Sequence, residues 1–90
     1  MSITHKNKAK GSRTIVVVEG GWVFLTDNLV GNESVYTLND ASVIRVWGTT
    51  AGLGEIALKG PTTETVLDFC GNPTVPKNKV LVMIPCTYGA

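Results

Sequence analysis

Apolar residues in this chain fall mostly in short alternating or unbroken runs, set apart by glycine, asparagine and proline. That is the pattern of strands joined by tight turns. The first run, Thr14-Ile15-Val16-Val17-Val18, is continuous and β-branched, which suits a strand buried on both faces or at an interface. Glu19-Gly20-Gly21 follows, and the two glycines supply the positive φ of a tight hairpin. The return strand is Trp22 to Thr26, expected to run on irregularly through Asp27 to Val30 before a turn at Gly31-Asn32. Ser34 to Leu38 alternates, with Val35 and Thr37 on one face and Tyr36 and Leu38 on the other. After a turn or bulge at Asn39-Asp40, Ala41 to Trp47 reads as a fourth strand. Its period sends Ile44 and Val46 to the core and sets Val43, Arg45 and Trp47 together on the opposite face.

Only one segment has helical spacing. Leu53, Ile56 and Ala57 fall at i, i+3 and i+4, and Gly60-Pro61 closes the helix. A helix of about two turns is unstable alone, so it must pack on the sheet. Thr63 to Phe69 reads as the next strand, Gly71-Asn72-Pro73 as a turn, and Val75 to Asn78 as extended chain or loop. Lys79 to Ile84 is the last strand, and Pro85 confines it to an edge or an end. The expected fold is mainly β: a compact antiparallel sheet or small barrel of about six strands with one short α-helix. The folded domain spans residues 13–90 and follows a flexible basic tail over residues 1–12.

Composition adds three things to this picture. Ninety residues make one domain with a limited core, which an oligomer (a dimer or tetramer) would reinforce. With 43% hydrophobic and 17% charged residues the chain is too apolar to be disordered and has room for a subunit interface. The net charge of +1 is uneven, with Lys6, Lys8, Lys10 and Arg13 at the start. The rest is mildly acidic, which argues against binding duplex nucleic acid; the tail either contacts nucleic acid or is simply solvated. No apolar run reaches 18 residues and no secretory leader is visible, so no membrane association and a cytoplasmic location are expected. Cys70 and Cys86 then read as two buried free thiols, with a disulfide as the alternative. His5 stands alone in the tail, so neither a metal nor another cofactor is expected.

The chemistry concentrates in Val43 to Pro61. General acid–base work needs a histidine or paired carboxylates, and Glu55 is the single acid in this stretch; a non-enzymatic role is expected. Gly48 to Gly54 lacks the Gly-Lys-Ser/Thr of a P-loop and the spacing of a dinucleotide fingerprint. Its glycines and the amides from Gly52 through Leu53 to Gly54 can still hold an anion, or the loop is a plain strand-to-helix connection. Arg45 either binds a phosphate or guanine edge or pairs with a cross-strand acid. Trp47 either stacks on a base or packs. Thr49 and Thr50 offer hydroxyls, and Glu55 either complements the helix dipole or accepts from a ligand. Trp22 and Tyr36 are expected in the core or an interface, and Tyr88 in either setting.

On these residues the chain resembles a family of small, uncharacterised phage-encoded proteins. The resemblance rests on the hairpin glycines Gly20-Gly21, Arg45-Val46-Trp47, the small-residue turn Gly48 to Ala51, the helix Leu53 to Gly60, and the ending Ile84-Pro85-Cys86. It implies phage origin, and it looks like the viral sponges that hold cyclic di- or oligonucleotides of host immune signalling (anti-CBASS type) in the infected cell. The ligand-binding candidates are Arg45, Trp47, Thr49, Thr50, Gly52, Leu53, Gly54 and Glu55, chosen on chemistry rather than transferred by position. The rival expectations are a small structural or assembly protein of the phage and a protein-binding inhibitor of a host factor.

Overall fold

Ile15 and Val16 are adjacent in sequence and both fully buried, so their strand has cores on both faces. In the computed structural model, which describes residues 13–88, that strand is β1 (Thr14–Val18). The tail, His5 and the last two positions lie outside the described residues. Chain order continues with β2 (Trp22–Thr26), β3 (Asn28–Gly31), β4 (Val35–Asn39), β5 (Ala41–Val46), α1 (Leu53–Lys59), β6 (Val66–Gly71) and β7 (Thr74–Pro76). A single 3₁₀ turn, Lys77–Lys79, leads into β8 (Val80–Pro85). The Gly20-Gly21 hairpin has φ of 98° and 89° and pairs Val18 with Trp22.

The strands form a five-stranded sheet in the order β6-β5-β2-β1-β8 and a three-stranded sheet in the order β3-β4-β7. Every strand pair among the described residues is antiparallel. Asp27 separates β2 from β3, and Asp40, with φ 50°, separates β4 from β5. The long hairpin thus turns a corner and enters both sheets. Thr26 secures the corner: it is fully buried, and its hydroxyl donates to the carbonyls of Asn28 (2.8 Å) and Asn39 (2.7 Å). A buried hydroxyl needs such partners.

Alternation in the larger sheet divides the apolar residues between two cores. Ile15, Leu25 and Ile44 meet Ile56 and Ala57 of α1 together with Cys86. Val16, Val18 and Phe24 meet Leu38 and Val75 of the small sheet. Helix, large sheet and small sheet therefore form three layers, as an apolar run buried on both faces requires. No described helix is long and apolar enough to cross a membrane.

The expectation of a mainly β fold with one short helix holds, but the strands number eight among the described residues and the sheets do not close into a barrel. Val46 was expected in the core and is 45% exposed. The register with β6 slips between Ile44 and Val46, and this bulge breaks the period-two alternation. The strand expected from Thr63 begins only at Val66. Before it, Thr62 and Thr65 close a turn on themselves, Thr65 N–H donating to Thr62 O at 3.1 Å and Thr62 N–H to Thr65 Oγ1 at 2.9 Å. Val75 lies in a short strand, and Gly31 pairs with Tyr36 inside the sheet instead of turning. Both cysteines are free thiols, but only Cys86 is buried and Cys70 is exposed.

Candidate functional site

Arg45 owes its position to the bulge. Ile44 faces Leu67 and Val46 faces Val66, so Arg45 is the extra residue between them. Its guanidinium donates to Asp68 through Nε at 2.7 Å and Nη2 at 3.3 Å. The bond holds the Asp68 carboxyl below its usual range, and the carboxylate raises the Arg45 guanidinium further. Of the two sequence readings, the cross-strand ion pair is formed. The Arg45 side chain is still 64% exposed, and its Nη1 has no partner among the described residues.

The turn after β5 is rigid. Gly48 has φ 68°, and a Cβ there would lie 2.4 Å from the Glu64 carbonyl carbon. Thr62 Oγ1 donates to Gly48 O at 2.7 Å and Thr65 Oγ1 to Trp47 O at 2.6 Å. Trp47 is 44% exposed, and its ring edge lies 3.6 Å from where a Gly52 Cβ would stand. The helix start bonds to itself. Gly52 N–H donates to Thr49 Oγ1 at 3.0 Å, and Ala51 N–H donates to Glu55 Oε1 at 3.0 Å. Thr50 Oγ1 donates to the same carboxylate oxygen at 3.3 Å. Glu55 thus reaches back over the first turn to the residue before the N-cap Gly52, which itself has no side-chain cap.

The structure therefore gathers Trp47, Thr49, Thr50, Gly52, Leu53, Gly54 and Glu55 into one turn. No hydrogen bond or ion pair among the described residues ties Arg45 to it. Much of the polar capacity that the sequence offered to a ligand is spent inside this turn. The Gly52 amide, the Thr50 hydroxyl and the Glu55 carboxylate all have internal partners. The backbone amides of Thr49, Thr50, Leu53 and Gly54 make no hydrogen bond among the described residues.

The principal concavity lies elsewhere, between the large sheet and β7. It is a groove of about 640 Å³ whose walls include Trp22, Phe24, Val43, Cys70, Val75 and Lys79. Trp22 and Phe24 share a strand face two residues apart and stack at 6.0 Å with 5° between the rings. Trp22, expected in the core or an interface, is 54% exposed and is not a core residue. At one end Lys79 Nζ meets Glu19 Oε1 at 3.4 Å. On β6, in the same large sheet as Trp22 and Phe24, Cys70 Sγ donates to Ala41 O at 3.3 Å, and burial pushes its thiol up. The two tyrosines are half-buried: Tyr36 lies beneath Lys77 with 4.8 Å from Nζ to the ring, and Tyr88 lies beneath Arg13 at 4.9 Å.

Sequence reasoning missed the groove. The i, i+2 spacing of Trp22 and Phe24 carried a signal for an aromatic pair on one face. The approach of β7, which makes that face a wall, carried none. Comparisons with protein-family models, curated proteins and solved structures find no match to this chain.

Proposed function

We propose that this chain is a non-enzymatic binding protein of phage origin. It sequesters cyclic di- or oligonucleotide signals of antiphage defence in the cytoplasm of an infected bacterial host, as its resemblance implies. The observation that carries the reading is the Arg45 guanidinium: largely exposed, fixed by Asp68, and with Nη1 unpartnered among the described residues. A guanidinium that is largely exposed and has an N–H group to spare suits a phosphate oxygen. Trp47, just after β5, and Trp22, which opens β2, supply exposed rings. Binding without turnover would make the protein a sink rather than a catalyst, most effective as a dimer or tetramer matched to a pseudo-symmetric ligand.

The test mixes excess protein with cyclic dinucleotides, measures free ligand, then heats the mixture. Wild type should remove the ligand from solution and release it intact on heating. Arg45→Ala should weaken binding by about tenfold or more. Degraded ligand would point to an enzyme, and unchanged free ligand across the panel would sink the reading.

A second reading, a phage structural or assembly protein, has its own observation. The edge strand β8 is uncharged throughout and exposes Leu81 (63%), Val82 (48%) and Met83 (38%). Uncharged apolar edges are what strand addition between chains requires.

A further inference from the structure

We infer that the groove between the two sheets is the seat of a purine ring, with the phosphate of the same nucleotide reaching Arg45. The inference rests on the binding reading above and relocates the base from Trp47 to Trp22. The groove's size, about 640 Å³, falls in the ordinary range of small-molecule sites, roughly 300–1,000 Å³. Its character matches too: apolar walls with few polar groups, and a stacked Trp22–Phe24 pair. The exposed indole offers a flat face of purine dimensions, and base–aromatic stacking is tolerant of orientation.

The cations fit the same ligand. Phe24 faces Val43 in the register between β2 and β5. Trp22 and Arg45 each lie two residues beyond this pair, toward the same end of the β2–β5 pairing. Asp68, which holds the guanidinium, stands opposite Val43, itself part of the groove wall. Lys79 sits at the groove with its ammonium 3.4 Å from Glu19. Both ion pairs are exposed enough for a phosphate oxygen to share or displace a carboxylate. An aromatic wall between two cations suits an anion carried on a flat ring. The turn from Gly48 to Glu55, closed by its own hydrogen bonds, is then a support for β5 rather than the cradle.

Cys70 gives the site a built-in reporter, because it belongs to the groove wall while Cys86 is buried in the opposite core. The experiment follows alkylation of Cys70 by iodoacetamide, read by mass spectrometry on the full chain. It is run alone and with saturating adenosine monophosphate or cyclic di-adenylate. Both nucleotides should slow Cys70 labelling by about tenfold or more and quench tryptophan emission. Trp22→Leu should abolish the protection, and Leu58→Gln, at an exposed position of α1 outside the groove, should leave it. Protection of Cys70 in the unaltered chain keeps the test decisive even if a variant folds poorly. If free-ligand depletion registers binding while Cys70 labels at its original rate, the groove is overturned and the sequestration reading survives. If adenosine monophosphate protects Cys70 and no cyclic dinucleotide binds, the groove stands and sequestration falls. If neither binds, both fall.

Discussion

Asp68 is the residue that decides how available Arg45 is. The carboxylate takes Nε and Nη2 and so competes with any phosphate for the same guanidinium. Asp68→Asn should therefore tighten binding of a cyclic dinucleotide, by about threefold to tenfold, as measured by titration calorimetry. An equal or weaker affinity would mean that the carboxylate orients Arg45 instead of restraining it. The contribution of the pair to stability also has a definite sign. Because Asp68 is lowered from its usual 3.8, that contribution is present above the ordinary carboxylate value and lost as pH falls through the folded one. Arg45 itself was legible as a cation that would take either an anion or a cross-strand acid. Which acid could not be read, because the residues lie 23 apart in sequence and meet only through the β5–β6 register.

Among the elements, α1 shows how little local sequence is needed when packing supplies the rest. Seven residues cannot hold a helix alone. Ile56 and Ala57 bury it on the large sheet, and Glu55 ties its start. Ile56→Ala should cost about 2–5 kcal/mol, the range for deleting a fully buried branched side chain. Glu55→Ala should cost about 0.5–1.5 kcal/mol, the net worth of a hydrogen bond. Both are read by urea denaturation. A Glu55→Ala protein that loses ligand affinity but no stability would return this residue to the binding surface. The helix face was visible in the spacing of Leu53, Ile56 and Ala57. The strand limits were less so: the bulge at Arg45 exposes Val46, and the threonine turn takes the start of β6.

At the scale of the whole molecule, the large sheet ends in two unequal edges. β6 carries Asp68 beside the exposed Phe69 (70%) and Leu67 (38%), whereas β8 has no charged residue. Natural monomers commonly guard an edge with lysine or with a covering loop. If copies of the chain associate through β8, Val82→Lys should shift the protein toward monomer in sedimentation velocity without changing its far-ultraviolet dichroism. An unchanged distribution would place the contact elsewhere, and a wild type that is monomeric at all concentrations would remove both the assembly reading and the oligomeric sponge.

The chain by itself determined what depends on near neighbours. The β class, the glycine hairpin, the doubly buried first strand, the short helix and its glycine stop are properties of spacing and backbone freedom. It also determined which residues had suitable chemistry, Arg45 and the tryptophans among them. The tertiary structure decided how that chemistry is used. The corner at Asp27 and Asp40 carries one hairpin into two sheets, and β7 is thereby set against Trp22 and Phe24 to make a groove. The bulge delivers Arg45 to Asp68, and the turn from Gly48 to Glu55, conspicuous in composition, bonds largely to itself. A polar group is free for a ligand only if folding gives it no internal partner, and that choice belongs to contacts distant in sequence.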